Sequence, residues 1–272
     1  MNSINWGENY TLLCDFYELT MGNGYFKSGK KDQICYFDMF FRSVPDGGGF
    51  AIAAGLEQVI DYINNLHFTE ADLAYLRSRG MFDEAFLDYL RTFRFTGDIY
   101  AVPEGTVVFP YEPLLRVKAT IFEAQLIETA LLNIINHQTL IATKASKVKK
   151  SAGAASVSEF GLRRAQGPDA GIYGARASVI GGCSGTSNVL SGQMFDIPVK
   201  GTMAHSWIMS FDSELEAFRK FAEIYPDNTL LLVDTYDTLR SGVPNAIKVF
   251  DELKARGKRP VGIRLDSGDL AY

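Results

Sequence analysis

From about residue 155 the chain alternates strand-like and helix-like segments, and this alternation restricts the fold more than any other feature. Strand candidates lie at 156–160, 198–203, 229–234 and 260–265; helix candidates lie at 169–178, 187–195, 213–224 and 243–256. Each strand runs into polar or glycine-rich residues before the next helix. Repetition of this kind implies a parallel sheet or barrel. A closed barrel of this class needs about eight strands, and four are counted. The chain stops at Tyr272, just after the last strand and the turn DSGDL, with no covering helix, so the region reads either as a small open sheet or, the favoured reading, as part of a longer barrel.

Upstream, residues 121–150 contain neither Gly nor Pro. Leu126, Ile127, Ala130, Leu131, Ile134 and Ile135 recur at helical spacing, and the basic tail KASKVKK suits a helix C-terminus. One long central helix is expected. Before it, residues 9–29 read as a helix on Leu12, Leu13, Phe16, Leu19 and Met21, and the aromatic, β-branched run at 33–43 reads as a strand. Helices are expected at 53–65, at 70–79 with Thr69 as cap, and at 82–93. Strands are expected near 97–102, 106–109 and 113–118. The fold class is therefore α/β: an α+β N-terminal domain over 1–120, a linking helix over 121–150, and an incomplete α/β barrel over 151–272 that carries the active site.

Composition removes several function classes. A net charge of −5 argues against nucleic acid as a partner, though it leaves room for a local basic pocket. Cys14, Cys35 and Cys183 are odd in number and form no CxxC pair, so neither a disulfide framework nor a zinc site is indicated. No apolar run approaches the ~20 residues of a membrane span, and MNSINWGENYTLLCDFYE lacks the pattern of a signal peptide. The expected compartment is the cytoplasm.

In parallel α/β folds ligands sit at the carboxyl ends of strands, so the residues after each strand are the site candidates. EFGLRRAQGPDA (159–170) offers Arg163 and Arg164, whose planar guanidinium groups suit a carboxylate or phosphate; an ordinary solvated turn is the alternative. GGCSGTSNVLSG (181–192) is a glycine-rich loop before a helix, without the P-loop lysine. GTMAHSWIMSF (201–211) holds His205 between the hydroxyls of Thr202 and Ser206, which suits a base, a nucleophile, a phosphate acceptor or a structural histidine. His67 and His137 read as structural. TLLLVDTYDT ends in Asp234, Thr235 and Asp237, and VGIRLDSGDL ends in Arg264, Asp266, Ser267, Gly268 and Asp269. Carboxylates at successive strand ends suit Mg²⁺ with a phosphorylated ligand, or sugar hydroxyls. Asp237 reads as a helix cap.

Taken together, LLCDFYELTMGNGYF (12–26), PEGTVVFPYEPLLRV (103–117), QLIETALLNIINHQTLIATKA (125–145), EFGLRRAQGPDA, GTMAHS and GIRLDSGDL resemble the nicotinate phosphoribosyltransferases, in the same order and over nearly the whole chain. The resemblance implies the type II phosphoribosyltransferase fold. It implies a reaction of nicotinate with phosphoribosyl pyrophosphate, coupled to ATP hydrolysis, that gives nicotinate mononucleotide and pyrophosphate. It implies ATP and Mg²⁺ as cofactors, with no residue assigned as a metal ligand, and a homodimer with shared active sites.

Residue by residue, His205 matches the histidine phosphorylated by ATP. Tyr17 matches a tyrosine that stacks on nicotinate from the neighbouring subunit, with Asp15 beside it. Arg163 matches an arginine near the pyridine carboxylate and phosphates. Thr202 and Ser206 match pocket-lining positions, and Asp266, Ser267 and Gly268 match the ribose-facing strand end, with Asp266 expected to be catalytic beside His205. Ala204 stands where the related nicotinamide-using family has an acidic residue, which favours the acid substrate. The family continues past residue 272 with further strands that supply glycine-rich phosphate loops and another arginine. Two other readings follow: a non-catalytic subunit that keeps the fold and dimer surface, and a different barrel enzyme acting on a phosphorylated sugar. The latter fits the strand-end carboxylates but explains neither Tyr17 nor the arrangement of Arg163 and His205.

Overall fold

The computed structural model describes residues 9–270. Residues 1–8, part of the stretch read as lacking a signal peptide, and the endpoint Tyr272 lie outside the described residues. Two compact units divide the chain, Met1–Lys200 and Gly201–Tyr272.

The first unit contains α1 (Phe16–Lys27), β1 (Ile34–Met39), β2 (Ala51–Ile52), α2 (Leu56–Asn65), α3 (Glu70–Ser78), α4 (Glu84–Arg91), β3 (Asp98–Ala101), β4 (Val107–Val108), β5 (Leu115–Thr120), α5 (Ile121–Ala152), α6 (Pro168–Ile180) and α7 (Val189–Phe195). Helix α5 is its axis: 32 residues, about 48 Å at 1.5 Å per residue. It starts on a capping box in which the Thr120 side chain accepts from the backbone of Glu123 while Glu123 accepts from the backbone of Thr120. It ends at Gly153, where the Lys149 ammonium donates to the carbonyls of Gly153 and Ala155. Phe122, at 0% exposure, anchors an aromatic core with Phe86, Tyr89 and Phe93. Gly22 lets α1 close onto it, since a Cβ there would stand 2.2 Å from the Phe122 ring. The antiparallel sheet β1–β5–β3 packs beside this core.

Several expectations are corrected. The helix predicted over 9–29 is interrupted: a 3-10 turn covers Tyr10–Leu12, and α1 starts only after Asp15, whose carboxylate and Glu18 form a second capping box. The apolar spacing runs through the break, so periodicity alone hides it. The short strand β2, paired with β4, was not expected. The strands predicted at 156–160 and 198–203 contract to single bridges at Glu159 and Val199, and both pair in parallel with Thr186. Thr186 lies inside the segment read as a glycine-rich loop, where the lack of an apolar run conceals its extended backbone.

The second unit contains α8 (His205–Met209), α9 (Glu214–Ile224), β6 (Leu230–Leu232), α10 (Val243–Ala255) and β7 (Gly262–Arg264). Strands β6 and β7 are parallel, in register from Leu230–Gly262 to Leu232–Arg264. Phe218, Leu231, Leu232, Val233 and Val249 form its core with at most 1% exposure. A π-helical turn at Thr238–Gly242 leads into α10. Its glycine is obligatory: a Cβ on Gly242 would lie 1.9 Å from the Val233 carbonyl oxygen. The three cysteines are unpaired thiols, Cys183 buried and the others half-buried. Among the described residues no helix is long and apolar enough to cross a membrane.

Candidate active site

A parallel strand pair brings its two carboxyl ends to the same edge, and in the second unit that edge is built around Asp234. Asp234 follows β6 by two positions, and its side chain is 4% exposed. Its Oδ2 accepts three hydrogen bonds from the turn after β7: the Asp266 N–H at 2.6 Å, the Ser267 N–H at 2.8 Å and the Ser267 hydroxyl at 2.8 Å. Its Oδ1 faces His205 Nε2 at 3.1 Å. Burial pushes the Asp234 carboxyl pKa upward, but the hydrogen bonds from Asp266, Ser267 and His205 outweigh it and hold the group at about 2.

This cluster decides the chemistry of His205. An ionised carboxylate only accepts, so the proton between Oδ1 and Nε2 belongs to the imidazole. In neutral His205, Nδ1 then carries the free lone pair. His205 opens α8 and its side chain is 36% exposed, so the ring is accessible as well as oriented. The hydroxyls of Thr202 and Thr235 in the same unit are buried and find no partner among the described residues. Unsatisfied buried hydroxyls of this kind call for a ligand or a water. Ser206, next to His205, is exposed, and Gly268 takes a left-handed φ of 85° in the turn that delivers Asp266 and Ser267. The Asp266 carboxylate itself pairs with Arg264 at 2.5 Å.

In the first unit, Asp15 and Tyr17 meet α5 at a cleft of about 480 Å³. The Tyr17 ring is 43% exposed, and its hydroxyl donates to Glu128 at 3.3 Å. Asp15 caps α1 and lies 3.2 Å from the Thr129 hydroxyl. Glu18, wholly buried, accepts from the Thr129 N–H and hydroxyl at 3.0 and 2.8 Å, and burial raises its carboxyl to about 7 despite them. Arg163 sits in the 3-10 turn Leu162–Arg164; it and Arg164 are exposed and form no ion pair with another described residue.

The structure thus brings Asp15 together with Tyr17, and His205 with Asp266 and Ser267. Arg163 belongs to the first unit and His205 to the second. Sequence reasoning named Asp234 only as one strand-end carboxylate among several and missed Glu18, Glu128 and Thr129. Asp237 is the helix cap expected, accepting from the N–H groups of Leu239 and Arg240. His67 and His137 bond backbone carbonyls, Asn65 and Ala170, as structural histidines do. A further polar network went unread: Arg176 pairs with Glu104 at 2.5 Å, both about 15% exposed, and reaches Gln138 at 3.1 Å. No group of three or more His, Cys, Asp or Glu among the described residues is arranged to hold a metal ion by itself.

Comparison with known proteins gives a consistent result. Residues 12–136 match the model of the nicotinate phosphoribosyltransferase N-terminal domain, and residues 155–272 match that of the nicotinate phosphoribosyltransferase family. The chain is 50% identical over 265 residues to the nicotinate phosphoribosyltransferase of Bacillus subtilis, covering 97% of this chain and 54% of the relative. It is 38% identical to nicotinate phosphoribosyltransferase 1 of Arabidopsis thaliana, covering 96% of this chain and 56% of the relative. Among solved structures it is similar to human nicotinic acid phosphoribosyltransferase, with a TM-score of 0.87, 35% identity, and coverage of 94% of this chain and 61% of that one. The nicotinate-nucleotide pyrophosphorylase of Pyrococcus furiosus shares the fold, with a TM-score of 0.71 at 24% identity. The chain spans about half the length of the relatives it matches.

Proposed function

Because this chain belongs to the nicotinate phosphoribosyltransferase family, we propose that it serves that reaction: nicotinate and phosphoribosyl pyrophosphate give nicotinate mononucleotide and pyrophosphate, with ATP hydrolysis coupled, in NAD biosynthesis. The observation that carries the reading is the His205–Asp234 pair, locked to the turn after β7 at the carboxyl ends of two parallel strands.

In this reading the Nδ1 lone pair of His205 attacks the γ-phosphorus of ATP. A nitrogen–phosphorus bond forms, the bond to the bridging oxygen breaks, and ADP departs. Positive charge grows on the ring as that happens. Asp234, ionised down to about pH 2, stabilises it through the Nε2 hydrogen bond. Mg²⁺, where it accompanies the phosphates of ATP and phosphoribosyl pyrophosphate, neutralises their charge. Ribosyl transfer builds positive charge on the sugar and negative charge on the leaving pyrophosphate. Asp266, Ser267 and Gly268 serve the ribose end, and Thr202 and Ser206 offer hydroxyls beside His205. Arg163 takes the pyridine carboxylate through a bidentate pair, and Tyr17 stacks on the ring with Asp15 behind it. The parallel pairings Glu159–Thr186–Val199 and β6–β7 support the irregular α/β barrel of the type II class. A homodimer with shared sites and a cytoplasmic location complete the reading.

The test is acid-labile phosphate. Incubation of the intact enzyme with γ-labelled ATP is expected to label His205 and no other residue. An unlabelled wild type, or unchanged labelling after His205→Ala, overturns the proposal.

A further inference from the structure

We propose that Glu128 is a positioning residue that sets the Tyr17 ring for an electron-poor aromatic ligand, a pyridine carboxylate. This rests on the reading that Tyr17 stacks on nicotinate. A half-exposed tyrosine on the first turn of a helix has two side-chain torsions to fix, and packing covers only part of it. Here the fixing comes from α5. The Tyr17 hydroxyl donates to Glu128 Oε1 at 3.3 Å, and Glu128 Oε2 in turn accepts from the Gln125 amide at 2.7 Å. Gln125 is 6% exposed, so the far end of the chain is anchored in the core.

The backbone beneath the ring is held by the neighbouring residue. Thr129 binds Glu18 through its N–H and hydroxyl and lies within reach of Asp15, so α5 grips α1 on both sides of position 17. Two consecutive residues of α5 therefore determine where Tyr17 stands, one through the backbone and one through the phenol.

The experiment varies nicotinate at saturating ATP and phosphoribosyl pyrophosphate, on the intact enzyme. Glu128→Ala is expected to raise KM for nicotinate about 5-fold, the value of one long, solvent-exposed hydrogen bond of about 1 kcal/mol, with kcat changed less than about 2-fold. Tyr17→Phe, which keeps the ring and loses the donor, is expected to match it. The double variant is expected to be no worse than either single one, because both remove the same bond. Glu128→Gln, which still accepts the phenol proton, is expected to restore the wild-type KM. A raised KM in Tyr17→Ala with wild-type values in Tyr17→Phe and Glu128→Ala overturns the positioning role and leaves the stacking reading standing. A wild-type KM in Tyr17→Ala overturns the stacking reading itself. A Glu128→Gln variant as impaired as Glu128→Ala overturns the hydrogen-bond argument.

Discussion

Replacing Asp234 with asparagine separates the two jobs that this carboxylate performs. Its pKa of about 2, against an ordinary 3.8, means that the folded protein favours the ionised form. At 1.36 kcal/mol per pH unit this corresponds to about 2–3 kcal/mol. The side chain is 4% exposed, but the groups that bind it, Asp266 and Ser267, are exposed. Screening there reduces the expected contribution to about 1–2 kcal/mol. The pKa is lower folded than unfolded, so this stability is present above about pH 4 and is lost as pH falls toward 2.

In Asp234→Asn the amide oxygen still accepts from the two N–H groups and the Ser267 hydroxyl. The amide nitrogen now points at His205 and donates, so Nε2 must accept and the ring proton moves to Nδ1. Folding is expected to lose about 1–2 kcal/mol, whereas the phosphorylation proposed at His205 is expected to lose its nucleophile; inverted tautomers of this kind cost on the order of 10⁴-fold elsewhere. Urea unfolding at pH 7 and pH 3, beside the initial rate of labelling from γ-labelled ATP, reads both effects. Wild-type labelling in the variant refutes the assignment of Nδ1 as nucleophile. A stability gap that does not narrow between pH 7 and pH 3 refutes the electrostatic reasoning.

Arg176→Ala leaves the Glu104 carboxylate, largely buried and also bound to the Gly55 N–H, without its cation; a loss of about 2–4 kcal/mol is expected in denaturant unfolding, and an unchanged midpoint refutes it. Gly242→Ala forces a methyl group into the Val233 carbonyl and is expected to cost at least about 1–3 kcal/mol, seen as a lowered melting temperature. Arg163→Ala is expected to weaken nicotinate binding about 10- to 100-fold by calorimetry while leaving the melting temperature unchanged, because the side chain is exposed and pairs with no other described residue.

Local signals were legible where one stretch of chain is enough to satisfy itself. The helix expected over 121–150 is α5 within two residues of its ends, since its cap and its uninterrupted apolar stripe need no distant partner. Thr69 caps α3 through Asp72 as its spacing predicts. The break before α1 was hidden because Leu12, Leu13 and Phe16 keep helical spacing across it while Asp15 ends one backbone conformation and starts another. Thr186 was hidden because a single parallel bridge leaves no periodic trace.

The amino-acid sequence by itself determined most of the longer helices, α5 above all, and the order in which the arginine-, histidine- and carboxylate-bearing strand ends occur, because helix formation and turn chemistry depend on neighbours within a few positions. Only the tertiary structure decided that Asp234 closes on Asp266 and Ser267, more than thirty residues away, and that Glu128 receives the hydroxyl of Tyr17 across 111 positions. Those partnerships follow from parallel strand pairing and from the contact of α1 with α5. Both are chosen by burial of the whole core, and neither leaves a mark in the local order of residues.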